Sequence, residues 1–250
     1  MRFTKSTYEG NDETLHILPT ACWHVGHINC KYDIIENWTK KLDYNHRGLL
    51  LGDLAEVATK KSIGAGLFET NMTPKKQRDY IINMLEDKAE FIDGALIGNH
   101  EQRIKNDTSI DLMEDVCNRL KIPYLGYQGF VKYAWNGVGY IINLWHGTGL
   151  GTSAEIAIRQ AEQMSTRNFA DVYLLAHHHK KLKSDRIYSV PDPRNMTIQK
   201  IEQHFVVCGS ALDYDEGYAD MNGLQSRLLG FPEISLRGIK NKNKHIEVTL

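Results

Sequence analysis

Short apolar runs that end at a glycine recur along the chain, and each is followed at once by polar side chains with acid–base or metal-binding chemistry. Ala95–Arg103 reads ALIGNHEQR, and the earlier segment Gly48–Glu56 reads GLLLGDLAE. An apolar run of this kind predicts a buried strand, and the residues after the glycine then lie at the carboxyl end of that strand. The two segments therefore predict a site at one edge of an α/β-type sheet.

Apolar runs elsewhere predict more strands, which are Leu15–Leu18, Val172–Ala176, Val206–Val207, Glu233–Leu236 and His245–Val248. The strongest local signal is a hairpin, because alternating bulky residues over Phe130–Trp135 and Val138–Trp145 flank the pair Asn136-Gly137. Asn-Gly is a dipeptide that two-residue hairpin turns favour.

Apolar residues at spacings of three and four predict helices between these strands. The predicted helices run from Lys31 to Leu42, from the cap Thr73-Pro74 to Lys88, from a cap at Ser109 through Leu112–Leu120, and over Ala154–Met164. Ala58–Thr73 is rich in Lys, Ser, Gly and Thr and predicts a long irregular loop beside the site. Nothing in the pattern marks a domain boundary, so we expect residues 1–250 to form a single domain.

Composition narrows the class of protein. A chain of 250 residues can bury a large core without disulfides, and its four cysteines show no CxxC pairing, which favours reduced thiols. The chain has 30 Lys and Arg residues against 31 Asp and Glu residues, so it has no overall positive charge that would attract nucleic acid. This balance does not exclude a local basic groove. No signal peptide or membrane-spanning run is present, so we expect a cytoplasmic protein with no membrane partner.

Five of the predicted strands end in residue types that bind metals. The seven candidate ligands are Cys22, His24, Asp53, Asn99, His146, His177 and His179. Mixed oxygen and imidazole ligands suit Mn, Fe, Zn or Ni better than Ca or Mg. Because one ion needs about four protein ligands, seven candidates with a carboxylate that can bridge fit two divalent ions. His177 and His179 lie two residues apart just after a strand, so we expect both side chains to point towards one site.

The ordered pattern is similar to the calcineurin-like metallophosphoesterases, whose motifs are D-x-H, G-D-x-x-D, G-N-H-[ED], H-G and G-H-x-H. Here the corresponding segments are Cys22-Trp-His24, Gly52-Asp53-Leu-Ala-Glu56, Gly98-Asn99-His100-Glu101, His146-Gly147 and Ala176-His177-His178-His179. The resemblance covers about residues 15 to 180, and GNHEQR also looks like phage-encoded and prophage-type members. It implies a two-sheet β-sandwich flanked by helices, with the metal site at the strand ends.

The resemblance also implies a role for each candidate. Asp53 would bridge two ions, the first also bound by Cys22, His24 and His179, and the second by Asn99, His146 and His177. A hydroxide activated by the metals would be the nucleophile. His100, oriented by Glu56, would be the general acid, and Arg103 would contact a phosphate oxygen.

The implied activity is hydrolysis of a phosphodiester in DNA, RNA or a nucleotide. Alternatives are a phosphomonoesterase acting on a small nucleotide or a phosphoprotein, and an inactive module that binds phosphate through one ion. Homo-oligomerisation is left open. By the same resemblance to phage-type members, the protein would act in the cytoplasm of a bacterial host cell.

Three positions depart from the family pattern. Cys22 stands where the family has aspartate; a thiolate there favours Zn or Fe over Mn or Mg, and a thiol that does not bind metal would weaken the first site. Glu56 replaces an aspartate and is one methylene longer. Ala176 replaces a glycine, which costs little unless the turn needs a positive φ. Taken alone, Cys22 and His146 would by default be core residues and become candidate ligands only together with the other motifs, and Arg103 is equally compatible with a solvated side chain.

Overall fold

The computed structural model describes residues 1–8, 14–59, 62, 69–149, 153–214, 228–238 and 244–250. Half of the loop predicted over Ala58–Thr73, residues 60, 61 and 63–68, lies outside these residues. Within them the strands are β1 Arg2–Tyr8, β2 Leu15–Thr20, β3 His46–Leu50, β4 Ile92–Leu96, β5 Tyr124–Gly126, β6 Gln128–Trp135, β7 Val138–Trp145, β8 Val172–Leu175, β9 Leu182–Asp192, β10 Thr197–Val207, β11 Glu233–Arg237 and β12 His245–Thr249. The α-helices are α1 Tyr32–Lys41, α2 Pro74–Leu85, α3 Asn99–Thr108, α4 Leu112–Leu120 and α5 Ala154–Met164, and Glu86–Phe91 is a 3₁₀ helix.

Two mixed six-stranded sheets pack face to face. The first has the strand order β1-β6-β7-β8-β10-β9, and the second has the order β12-β11-β2-β3-β4-β5. Strands β2 to β5 are parallel, whereas β11 pairs antiparallel with β2, and β12 pairs antiparallel with β11. The hairpin prediction is confirmed: Trp135 pairs with Val138, and both Asn136 and Gly137 have positive φ.

Apolar side chains from both sheets form the central core. Ile17 and Leu49 of the second sheet meet Trp135, Ile142 and Leu174 of the first, and all five are fully buried. Each fully buried aliphatic side chain stabilises the fold by roughly 1.5–3 kcal/mol. The alternation of inward and outward residues along each strand is what makes this shared core possible.

Helices cover the outer faces of the sandwich. Ile35 of α1, Ile81 of α2 and Val116 of α4 are buried against the second sheet, and Ala157 of α5 is buried against the first. The predicted α/β architecture, a two-sheet sandwich flanked by helices, is therefore confirmed. None of the described helices has the length and apolar character needed to span a bilayer.

Two helix boundaries differ from the prediction. Ser109 does not cap α4 but ends α3 with φ of 63°, and the α4 cap is Asp111, whose side chain accepts from the backbone N–H of Glu114. A carboxylate at that position also complements the helix dipole. The α-helical geometry of α2 ends at Leu85, and the chain continues to Phe91 as a 3₁₀ helix.

Candidate metal centre

The seven predicted ligands lie at one end of the sandwich. They follow the carboxyl ends of β2, β3, β4, β7 and β8, which belong to both sheets. The two strand-end loops of the second sheet touch closely, because a Cβ on Gly98 would collide with the Asp53 carboxylate. Glycine is therefore required where the Asn99 and Asp53 loops meet.

Five of the seven candidates adopt a left-handed backbone conformation. Cys22, His24, Asp53, His177 and His179 have φ between 52° and 69°. This conformation costs energy for residues other than glycine and persists where the surrounding structure enforces it, often at functional sites. In the last motif the positive φ falls on the two histidines and not on the preceding alanine, so alanine is tolerated where the family has glycine.

A first group of ligand atoms comes from Cys22, His24 and His179, whose Sγ and ring nitrogens all lie within 4.8 Å of one another. Nδ1 of His24 donates to Glu56 at 2.8 Å, which leaves Nε2 as the lone-pair atom of a neutral ring. That Nε2 lies 3.2 Å from Nε2 of His179. The carboxylate–histidine arrangement is the one that orients metal-binding imidazoles.

A second group brings three potential ligand atoms into contact. Nδ1 of His146 donates to the carbonyl of Leu51 at 2.5 Å, so Nε2 is the ring nitrogen that could bind a metal ion in exchange for its proton. This Nε2 lies 3.1 Å from Oδ2 of Asp53 and 3.0 Å from Oδ1 of Asn99. A divalent ion would take the place of the Nε2 proton and bind the two oxygens beside it, so the donor set fits such an ion.

His177 adds a fourth atom to the second group. Its Nε2 donates to the carbonyl of Gly149 at 2.6 Å, and its Nδ1 lies 2.8 Å from Oδ1 of Asn99. His179, in contrast, belongs to the first group. Both histidines therefore lie at the same site, as expected, but their rings belong to different groups. Left-handed backbone at both residues gives their rings these different directions.

Asp53 lies between the two groups. One set of ligand atoms within 4.8 Å joins Cys22, Asp53 and His146. Burial alone would raise the pKa of Asp53, but charged His146 and His100 beside it outweigh burial and hold the pKa well below the usual range. The same carboxylate raises the pKa of His146, against the effect of burial. These couplings identify Asp53 as the anionic centre of the cluster.

The predicted acid–base residues surround one imidazole. Nδ1 of His100 lies 3.0 Å from the carbonyl of Glu56 and 3.3 Å from its carboxylate, while Nη2 of Arg103 lies 3.0 Å from Nε2. Burial opposes the charged ring, yet the carboxylates of Asp53 and Glu56 raise the pKa of His100 to about 9. Glu56 therefore contacts two histidines, His24 and His100, and not His100 alone.

Cys22 is enclosed at the base of the site. Its side chain is fully buried, and burial, reinforced by the Asp53 carboxylate, raises the pKa of the thiol well above its usual value. Its backbone is held by the neighbouring loop, since its carbonyl accepts from the Ala211 N–H and the Ser210 hydroxyl. The sulfur thus has a fixed position against the first group of histidines.

Glu101 is a supporting residue for which the sequence analysis gave no role. Its carboxylate is fully buried and accepts from the backbone N–H groups of Asp53, Ala55 and Gly98, each at 3.0 Å. It thereby ties the Asp53 loop to the Asn99 loop. Glu101 is the fourth residue of the motif GNHE, so the sequence marks the position, but only the fold shows which amides its carboxylate binds.

Tyr214 and Gln160 also support the site from distant parts of the sequence. The Tyr214 hydroxyl lies 2.5 Å from Nδ1 of His179. Gln160 on α5 accepts from the Thr148 N–H, donates to the Thr148 carbonyl and contacts His178. Neither residue belongs to a motif, so no local signal identifies them.

No protein-family model matches the chain, and no curated protein matches its sequence. Among solved structures it is similar to Vps29 of Chaetomium thermophilum, with 15% identity, a TM-score of 0.38, and 94% of this chain and 96% of that chain covered. It is also similar to a single mutant of Vps29 from Entamoeba histolytica, with 13% identity, a TM-score of 0.43, and 94% and 98% covered. A third structure, wild-type Entamoeba histolytica Vps29 complexed with Zn²⁺, has 11% identity, a TM-score of 0.32, and 94% and 98% covered. Identities of this size assign no activity to the chain.

Proposed function

We propose that the protein is a binuclear metal-dependent phosphoesterase that hydrolyses phosphodiesters. The observation that carries the proposal is the convergence of potential ligand atoms: Nε2 of His146 faces Asp53 and Asn99 while its other nitrogen donates to a carbonyl. Such an arrangement favours a cation. The motif order shared with calcineurin-like metallophosphoesterases supports the same reading.

The donor set divides into two proposed sites that share Asp53. The first would be formed by Cys22, His24 and His179, and the second by Asn99, His146 and His177. Divalent ions bound there would neutralise the charge of a phosphoester and activate a water molecule. The identity of the ions is proposed from donor chemistry: the sulfur of Cys22 favours Zn or Fe, whereas the other ligands also accept Mn or Ni.

His100 is proposed to deliver a proton to the leaving oxygen from Nε2. Its Nδ1 is held against Glu56, so Nε2 is the atom that faces away from this support. In the structure Nη2 of Arg103 lies 3.0 Å from this Nε2. A phosphate oxygen that binds the Arg103 guanidinium would therefore also lie next to Nε2, so these two residues would couple substrate binding to proton delivery.

The proposed substrate is a phosphodiester of a nucleic acid or a nucleotide, in the cytoplasm of a bacterial host. This substrate class follows from the resemblance to phage-type members. The formal net charge of −1 favours a short substrate over a long nucleic-acid track, since extended tracks require many cationic contacts. A phosphomonoesterase is the alternative within the same chemistry.

One residue favours a second candidate function. Cys22 is buried and the pKa of its thiol is raised, which favours the neutral thiol over the thiolate that binds metal. If the first site lacked this ligand, only the second group would bind an ion. The protein would then recognise phosphate without cleaving it. The number of ions bound per chain separates the two functions.

The test is hydrolysis of bis-p-nitrophenyl phosphate with Mn²⁺, Zn²⁺, Fe²⁺, Ni²⁺ or no added metal, together with metal content per chain. We expect two ions and metal-dependent turnover that falls about 10²- to 10⁴-fold in His100→Ala. His245→Ala, at an exposed histidine far from the site, is the matched control. If the protein binds one ion per chain and shows no turnover with any metal, it is a phosphate-binding module and not an enzyme. Faster cleavage of p-nitrophenyl phosphate would instead indicate the monoesterase.

A further inference from the structure

The hairpin formed by β9 and β10 extends beyond the body of the sandwich. Strand β10 is buried near Val207, whereas nearly every residue from Ile187 to Lys200 is exposed. Strand β9 is also the edge of its sheet. Exposed apolar residues concentrate here, with Ile187 at 62% and Ile198 at 68% exposure. Concentrations of this kind mark interaction surfaces on soluble proteins.

One face of this hairpin continues the inner face of the sandwich. Val206 packs in the central core, and side chains two residues apart on a strand share a face, so Ile198, Lys200 and Glu202 lie on that side. Across the hairpin, Ile187 pairs with Glu202, and Pro191 pairs with Ile198. We call the set Ile187, Pro191, Ile198, Lys200 and Glu202 the hairpin face.

A cleft of about 460 Å³ separates the base of the hairpin face from the body. On the body side, Asp171 is neutralised by Lys244 at 2.8 Å, and this pair leaves no excess charge on that wall. Lys200 has no ion-pair partner among the described residues, and Glu202 approaches only His204, at 4.0 Å. Among the described residues, the hairpin face therefore carries one cation without an ion-pair partner and one anion that only His204 approaches, next to exposed isoleucines.

We infer that the hairpin face binds the same face of a second copy of this chain. A surface with one cation and one anion two residues apart is self-complementary under a two-fold axis, since Lys200 of each copy can face Glu202 of the other. Ile187 and Ile198 of the two copies would fill the space between these pairs. The near-zero formal net charge adds no long-range repulsion between copies.

The dimer is independent of the proposed function, because the hairpin face lies at the amino-terminal end of β8, opposite the end that carries the ligands. Loss of the dimer therefore tests this inference alone. Hydrolysis by the same samples reports separately on the proposed phosphoesterase.

The experiment measures mass by sedimentation equilibrium over a wide concentration series. We expect a dimer for the natural sequence and a monomer for Ile198→Asp. Lys200→Glu and Glu202→Lys should each raise the dimer dissociation constant by at least about tenfold, because like charges then face each other twice. Lys75→Glu, on an exposed turn of α2, is the matched control and should leave the constant unchanged.

Mixing Lys200→Glu chains with Glu202→Lys chains is the decisive step. In a mixed dimer one copy carries only acidic residues at the two positions and the other only basic residues, so both contacts become attractive and the dimer returns. A local folding defect in either variant cannot be rescued by mixing. A monomer at every concentration of the natural sequence, or single variants that dimerise normally, would overturn the inference.

Discussion

The Tyr214 hydroxyl lies 2.5 Å from Nδ1 of His179, and Nε2 of the same ring lies 3.2 Å from Nε2 of His24. A hydrogen bond to Nδ1 fixes which ring nitrogen carries the proton and holds the ring plane. Tyr214 is thus placed to orient a proposed ligand of the first ion without contacting that ion.

The variant Tyr214→Phe removes this hydrogen bond and keeps the aromatic ring. We expect the affinity of the first site for Zn²⁺ to fall about 10- to 100-fold, as for other residues that orient ligands. Isothermal titration calorimetry of the metal-free protein measures the Zn²⁺ affinity of both sites, and the affinity of the second site should be unchanged. Tyr80→Phe on α2 is the control. Equal affinities for the natural sequence and Tyr214→Phe would exclude an orienting role.

The sandwich could be predicted from sequence because its central strands carry strong signals. Val172–Leu175 is a short, fully buried parallel strand, and a continuous apolar run is typical of such strands. The Asn136-Gly137 turn has a signature of its own. Strand β1, in contrast, was not predicted, because its sequence RFTKSTY is largely polar. The strand lies at an exposed edge of its sheet, where a hydrophobic run is not needed. The exposed half of the hairpin β9–β10 lacks a hydrophobic run for the same reason.

The candidate ligands could be named from sequence, but their division into two groups could not. It depends on left-handed backbone at His177 and His179, and histidine at a strand end does not encode that conformation. Supporting residues such as Tyr214 reach the site from 35 positions away along the chain, where no motif links them to it. Side-chain support of this kind becomes visible only in the folded protein.

Cys22 is expected to determine which metal the first site prefers. The variant Cys22→Asp replaces sulfur with oxygen, so preference should move from Zn²⁺ towards Mn²⁺. Metal content after incubation with an equal mixture of the two ions measures this change. In the Co²⁺-loaded protein, the sulfur-to-cobalt charge-transfer band should disappear in Cys22→Ser. Cys208→Ser, at another buried free cysteine, is the control, and a band that persists without Cys22 would show that its sulfur is not a ligand.

Glu101 is expected to be essential for the shape of the site. The variant Glu101→Gln places an amide N–H₂ group against backbone N–H donors that now bind a carboxylate. One buried donor would lose its acceptor, so we expect the free energy of unfolding to fall by about 1–3 kcal/mol and metal affinity to fall with it. Urea unfolding of metal-free protein measures the first effect. Glu114→Gln, on the exposed side of α4, should unfold like the natural sequence; an equal stability of Glu101→Gln would contradict the argument.

Asp111 is expected to make the free energy of unfolding depend on pH in the acidic range. Burial alone would raise its pKa, but Lys105 Nζ at 2.8 Å and the Tyr124 hydroxyl at 2.7 Å outweigh burial and lower the pKa of this carboxyl. A carboxyl with a lowered folded-state pKa stabilises the fold above its unfolded pKa of about 3.9, and this stabilisation is lost as the pH falls through the folded-state pKa.

The variant Asp111→Asn keeps a side-chain oxygen to cap α4 but removes the charge. We expect its free energy of unfolding at pH 7 to be lower than that of the natural sequence by about 1–2 kcal/mol, and the difference to shrink once the pH falls below about 4. Urea unfolding at a series of pH values measures the difference. Asp87→Asn, at an exposed residue, should show no such trend. A difference that stays constant from pH 7 to pH 3 would mean that the contribution of Asp111 comes from packing or capping and not from its charge.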